Sequence, residues 1–133
     1  MNEQPVILVV EKNLHNLELL NSHLRILNLS CICTKQGVRA VILAQTHQPD
    51  LILLDMMLSD LSPSQVIDYL KHNSKTSSIP IIAVTPLITV KKPPCIMVAG
   101  CDDYITKPYN FNQLEVVIRR HLRQLNVSHS IWE

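Results

Sequence analysis

The sequence predicts an α/β protein, a three-layer α/β/α sandwich around a five-stranded parallel sheet. Its apolar runs are short, rich in β-branched residues and not alternating, as in Val6-Ile7-Leu8-Val9-Val10, Leu51-Ile52-Leu53-Leu54 and Ile79-Pro80-Ile81-Ile82-Ala83-Val84. Such runs suit strands covered by helices on both faces. Between them leucines and valines recur at three- and four-residue spacing, which marks amphipathic helices. Right-handed crossovers leave few other arrangements for this alternation.

Val6 to Val10 is the first strand, and it ends on Glu11-Lys12. Asn13 caps a helix whose inward stripe is Leu17, Leu20, Leu24 and Leu27, ending near Asn28. Ser30 to Thr34 forms a short second strand. Gly37 breaks the chain before a helix carrying Ala40, Leu43 and Ala44, which closes at Gln48-Pro49. The third strand starts after the turn pair Pro49-Asp50 and runs into Asp55. Ser62-Pro63-Ser64-Gln65 then opens a helix, with a capping serine, a proline at the first helical position and a glutamine that reaches back. Val66, Ile67 and Leu70 are its inward residues, and the strand from Ile79 to Val84 delivers Thr85 to the same sheet edge as Asp55.

Prolines make the segment from Pro86 to Pro94 the least regular in the chain, so it is predicted to be irregular and mobile. Only Cys95 to Ala99 leaves room for a short fourth helix before Gly100. Tyr104-Ile105-Thr106 is the fifth strand and ends in Lys107-Pro108. Asn110 and Gln113 cap a last helix, the fifth, packed through Leu114, Val117, Ile118 and Leu122. One domain is expected over 1–125, followed by a frayed tail from Asn126 to Glu133.

Composition removes several function classes. At 133 residues the chain can bury a core without a disulfide or metal staple. A net charge of +1 with dispersed basic residues argues against direct nucleic-acid binding. The apolar runs are too short to span a membrane and Met1 to Gln4 is no signal peptide, so a cytoplasmic location is expected. Cys31, Cys33, Cys95 and Cys101 form no Cys-x-x-Cys and have no nearby histidine pair, and they read as buried free thiols. Two glycines in the whole chain cannot build a phosphate-cradling loop, which disfavours a flavin or nucleotide enzyme.

The carboxyl edge of the predicted sheet collects Glu11, Lys12, Asp55, Thr85 and Lys107. Two carboxylates, a hydroxyl and two ammonium groups at the edge where open α/β sheets bind ligands favour a site. Three stretches carry a resemblance: Pro49-Asp50-Leu51-Ile52-Leu53-Leu54-Asp55, Ile79 to Thr85, and Ala99-Gly100-Cys101-Asp102-Asp103-Tyr104-Ile105-Thr106-Lys107-Pro108. From about Pro5 to Leu125 the chain resembles the receiver domain of two-component response regulators. The resemblance implies a flavodoxin-like strand order of 2-1-3-4-5, with Asp55 as phosphoacceptor, Thr85 as switch hydroxyl and Tyr104 as switch aromatic. It also implies Lys107 as the partner of the phosphoryl group and a cis bond from Lys107 to Pro108.

If the pocket is competent, the resemblance further implies Mg²⁺ held by Glu11, Asp55 and the backbone carbonyl of Met57. The implied partners are a histidine kinase or phosphotransfer protein, and a downstream protein on the face of the fourth helix, fifth strand and fifth helix. Homodimer formation stays open. No enzymatic activity is expected beyond self-phosphorylation and self-dephosphorylation at Asp55.

The pattern is departed from where the chemistry sits. Lys12 occupies the position that usually gives the metal a carboxylate, and Pro86 stands where a backbone N–H usually helps hold phosphoryl oxygens. Pro93-Pro94 interrupts the usual fourth helix. Two readings follow. One is a receiver phosphorylated on Asp55; the other is an interaction module that works without phosphorylation, with the Lys12 ammonium in place of the ion and paired directly to Asp55.

Overall fold

The computed structural model describes residues 4–86 and 100–122. Strands β1 (Val6–Val10), β2 (Ser30–Thr34), β3 (Leu51–Asp55), β4 (Ile81–Pro86) and β5 (Asp103–Lys107) form one sheet of order β2-β1-β3-β4-β5. Every pairing is parallel. Helices α1 (Leu14–Ile26), α2 (Gly37–His47), α3 (Pro63–Lys71) and α4 (Phe111–His121) cover its two faces. The predicted fold and strand order are the ones observed.

Alternate residues of each central strand serve opposite layers, which is why the strand sequences do not alternate with polar residues. Ile7, Val9, Leu51, Leu53, Ile82 and Val84 pack with Leu17, Leu20 and Leu24 of α1 and Leu114, Val117 and Ile118 of α4. Leu8, Val10, Ile52, Leu54 and Ile81 pack with Ala40 and Ala44 of α2 and Val66, Ile67 and Leu70 of α3. β3 is fully buried along its whole length, as its unbroken apolar run predicts.

Helix caps follow local sequence. The Asn13 side chain accepts from Asn16 N–H, Asn110 accepts from Gln113 N–H, and Ser62 with Gln65 closes a reciprocal capping box. α2 is different: its N-cap Gln36 makes no side-chain bond, and the Asp60 carboxylate caps it from the β3–α3 loop. The N–H groups of Gly37 and Val38 donate to it at 2.9 and 3.0 Å. Those two bonds hold the Asp60 carboxyl below the usual range.

The opposite, amino edge of the sheet is fastened by one device used twice. The Asp50 carboxylate accepts Val6 N–H at 2.8 Å while Asp50 N–H donates to Val6 O at 2.8 Å. Asp102 makes the same exchange with Ile81, again at 2.8 Å. Both aspartates stand in the stretches that carry the resemblance, and their role is to register neighbouring strands.

Several expectations are corrected. β4 starts at Ile81 instead of Ile79, because Pro80 has no N–H to give and contributes only its carbonyl, which accepts from Ile52 N–H at 3.0 Å. It then runs on through Pro86, paired with Lys107, so Pro86 is strand where irregular chain was predicted. Gly37 heads α2 instead of breaking the chain. Its Cα lies against α3, where a Cβ would come within 2.9 Å of Val66 Cγ2. The three described cysteines are free but not buried: Cys31 and Cys101 are half-buried, and Cys33 on the edge strand β2 is exposed, while Cys95 lies outside the described residues. Burial still pushes the Cys31 thiol up to about 12. Residues 87–99, with the expected irregular run and short helix, and the tail at 126–133 lie outside the described residues.

Gly100 enters β5's approach with φ of 98°, and a Cβ there would meet Ile67 Cγ2 at 2.6 Å. Gly100→Ala combines left-handed strain with that clash, so it should cost about 1–3 kcal/mol, read as a lower urea midpoint at unchanged slope.

Candidate functional site

The chain leaves β1 and β3 towards opposite ends of the sheet, because β1 leads to β2 on one side and β3 to β4 on the other. Their carboxyl ends therefore bound a crevice. Glu11 follows β1 directly, anchored by its N–H to Thr34 O at 3.0 Å, and Asp55 is the last residue of β3. Both are buried, at 1% and 0% exposure.

β5 brings a cation to them. The Lys107 ammonium, 15% exposed, lies 2.9 Å from Glu11 Oε1, 3.1 Å from Glu11 Oε2 and 3.2 Å from Asp55 Oδ1. Backbone donors supply more. Met57 N–H donates to Asp55 Oδ1 at 2.8 Å, Lys12 N–H to Asp55 Oδ2 at 3.3 Å, and Asn13 N–H to Glu11 Oε2 at 3.0 Å. Tyr109 O–H donates to Glu11 Oε1 at 2.8 Å. Burial, and then the Glu11 charge, raise the Tyr109 phenol far above its ordinary range, so it stays a donor. Two buried carboxylates are tolerated here because every oxygen has a hydrogen-bond partner and one ammonium serves both.

The remaining predicted residues take these places. Thr85 is buried near the end of β4, opposite Thr106, and Pro86 stands opposite Lys107. Tyr104 is half-buried on β5 opposite Ala83, two residues before Thr106, so Thr85 and Tyr104 share one face of the sheet. Met57 contributes its N–H to the site while its side chain is exposed. The Lys107–Pro108 bond is cis, as the resemblance implies.

Lys12 is the main correction. Its side chain is exposed and makes no ion pair among the described residues, whereas direct pairing with Asp55 was expected. The physical reason is that its backbone N–H faces Asp55, and Lys107 already supplies the buried positive charge. A long, strongly hydrated ammonium gains more in water than in a compensated pocket. The hydrogen bonds of Tyr109 and Asn13 to Glu11 were not foreseen. A hydroxyl two residues beyond Lys107 was the available signal for the first.

Mg²⁺ demands nearly ideal octahedral oxygen coordination. Both Glu11 oxygens are each held by two donors, both Asp55 oxygens accept N–H groups, and the neighbouring acid position is Lys12. No group of three or more His, Cys, Asp or Glu side chains able to hold a metal occurs among the described residues. The residues present do not fit the ion.

Comparison with known proteins agrees with the fold. A family model described as the response regulator receiver domain matches residues 7–119. The polar-differentiation response regulator DivK of Brucella anthropi is 33% identical over 116 residues, covering 87% of this chain and 94% of the relative. The receiver domain of sensor histidine kinase PA1611 from Pseudomonas aeruginosa, solved with a magnesium ion coordinated in its active-site cleft, superposes with a TM-score of 0.81 at 28% identity. That match covers 90% of this chain and 98% of the other. The receiver domain of Ssk1 from Saccharomyces cerevisiae, solved with the histidine phosphotransfer protein Ypd1, gives a TM-score of 0.77 at 26% identity over 91% of this chain and 90% of that one. No helix among the described residues is long and apolar enough to cross a membrane.

Proposed function

Because the chain belongs to the response regulator receiver domain family of two-component signalling, we propose that Asp55 accepts a phosphoryl group from the phosphohistidine of a histidine kinase or phosphotransfer protein. One observation carries this reading. Of the four carboxylate oxygens at the floor of the crevice, only Asp55 Oδ2 accepts a single long bond, from Lys12 N–H at 3.3 Å. It is the oxygen with a lone pair to spare. Glu11 is held from both sides and is the weaker nucleophile.

Transfer forms the Oδ2–P bond as the P–N bond of phosphohistidine breaks, and the imidazole leaves with the electron pair and takes up a proton. The incoming group is negative, so the carboxylate needs countercharge. Lys107 supplies it, 3.2 Å from Asp55 Oδ1. Thr85 and Tyr104, on one face at the end of β4 and within β5, are the pair that passes the change to a downstream protein. The Ssk1 receiver's complex with Ypd1 supports a phosphotransfer protein as donor.

A second reading is favoured by a specific observation. Lys107 already bridges both carboxylates, so a fixed conformation that a partner recognises without phosphorylation is available. In that case the stand-in for the ion is Lys107, not Lys12. Incubation with a small phosphoryl donor, and separately with a phosphorylated phosphotransfer protein, each with and without Mg²⁺, separates the two by intact mass. The wild type should gain one phosphoryl group and Asp55→Asn none. Equal labelling of the variant removes Asp55 from the role, and an unlabelled wild type under all conditions favours the second reading.

A further inference from the structure

We propose that Glu11 is not a cation ligand in this chain but the fixed end of a clamp formed by Tyr109 and Lys107, and that Tyr109 keeps a divalent cation out of the crevice. This concerns cation binding alone and stands whether or not Asp55 accepts a phosphoryl group.

Glu11 occupies the place where the family resemblance calls for a metal-binding acid, yet its carboxylate is saturated from within the fold. Tyr109 O–H reaches Oε1 at 2.8 Å, Asn13 N–H reaches Oε2 at 3.0 Å, and Lys107 Nζ bridges both at 2.9 and 3.1 Å. A cation that took Glu11 as a ligand must displace at least one of these donors. Asn13 N–H is backbone at the start of α1 and cannot turn away without unwinding the cap. The Lys107 ammonium has a second carboxylate to go to, since Asp55 Oδ1 is 3.2 Å away. Tyr109 is what remains.

The tyrosine is fixed by its own packing. Its half-buried ring packs against the core cluster that the sheet shares with α1 and α4, and it follows directly on Pro108 after β5. A phenol held in this way has little freedom to swing aside, so its hydrogen bond to a buried charge is retained at low entropy cost. Being neutral, it is not expelled by the lysine beside it. Losing that bond while the ring stays in place leaves Glu11 Oε1 with the lysine as its only donor, and a divalent cation becomes the better partner.

The test uses the full chain with Mn²⁺, following the free ion by electron paramagnetic resonance, for wild type, Tyr109→Phe and Glu11→Gln/Tyr109→Phe. Phenylalanine keeps the packed ring and removes only the donor, so the fold should hold, as checked by thermal unfolding. Tyr109→Phe should bind roughly tenfold more tightly than wild type, and the gain should vanish in the double variant. In parallel, the amide resonances of Lys12, Asn13 and Met57 should ignore Mg²⁺ in the wild type and shift in Tyr109→Phe. Saturable shifts at those amides in the wild type, or a variant no tighter than wild type, overturn the assignment.

Discussion

Lys107→Met is expected to lower folding stability by about 3–5 kcal/mol, the range for removing one partner of a buried charged group. Methionine replaces the stem of the lysine but not its ammonium. Glu11 and Asp55, at 1% and 0% exposure, are then left facing each other across the site once filled by Nζ. Their backbone and tyrosine donors remain but carry no net charge. The pair of Arg120 with Asp103 on α4 and β5 makes a useful contrast. The arginine is 57% exposed, so truncating it should cost no more than about 1 kcal/mol. Urea unfolding at neutral pH measures both. Adding Asp55→Asn to Lys107→Met removes one of the stranded charges and should restore about 0.5–3 kcal/mol, whereas Asp55→Asn alone leaves the Glu11–Lys107 pair intact. A loss below about 1 kcal/mol for Lys107→Met would mean that the ammonium is not the countercharge. The same lysine would then be a poor candidate for meeting an incoming phosphoryl group.

What the sequence made legible was local or periodic. Caps at Asn13, Ser62 and Asn110 were readable because each side chain meets an N–H three residues on. The buried strands were readable because helices on both faces remove alternation, and Asp55 was readable as the residue at which the central buried strand stops. Partner choice at the site was not. Glu11 meets Lys107 and Tyr109 across 96 and 98 residues, and no spacing rule encodes which of two lysines turns inward. The resemblance gave that place to Lys12 because it stands where the family usually has a metal-binding carboxylate. The structure gives it to Lys107, because β5 ends over the crevice while the main chain at Lys12 turns its N–H to Asp55 and its side chain to water. The start of β4 was misread for a simpler reason: Ile79-Pro80 continues the apolar run, but a residue without an N–H could not be told from strand by hydrophobicity.

Lys12→Asp is expected to raise affinity for a divalent cation by roughly thirtyfold or more, to an upper limit of about a thousandfold. The lower figure is electrostatic. An exposed ammonium about 4 Å from a bound divalent ion opposes it by about 2 kcal/mol in water, and removing that repulsion alone is worth about thirtyfold. The upper figure applies if the new carboxylate ligates the ion directly and completes the donor set that Glu11 and Asp55 leave short. Because Lys12 is exposed, its penalty in the wild type is screened, so the gain should shrink as ionic strength rises. The effect of Tyr109→Phe, which acts inside the buried clamp, should resist salt. Combining the two should therefore give a pocket whose affinity exceeds either variant, with a salt dependence that comes from position 12 alone. Calorimetric titration with Mg²⁺ at low and high salt reads both quantities. If wild type and Lys12→Asp bind alike at low salt, the lysine swings clear of the crevice and its charge has no part in excluding the ion, which leaves the Tyr109–Lys107 clamp as the whole barrier.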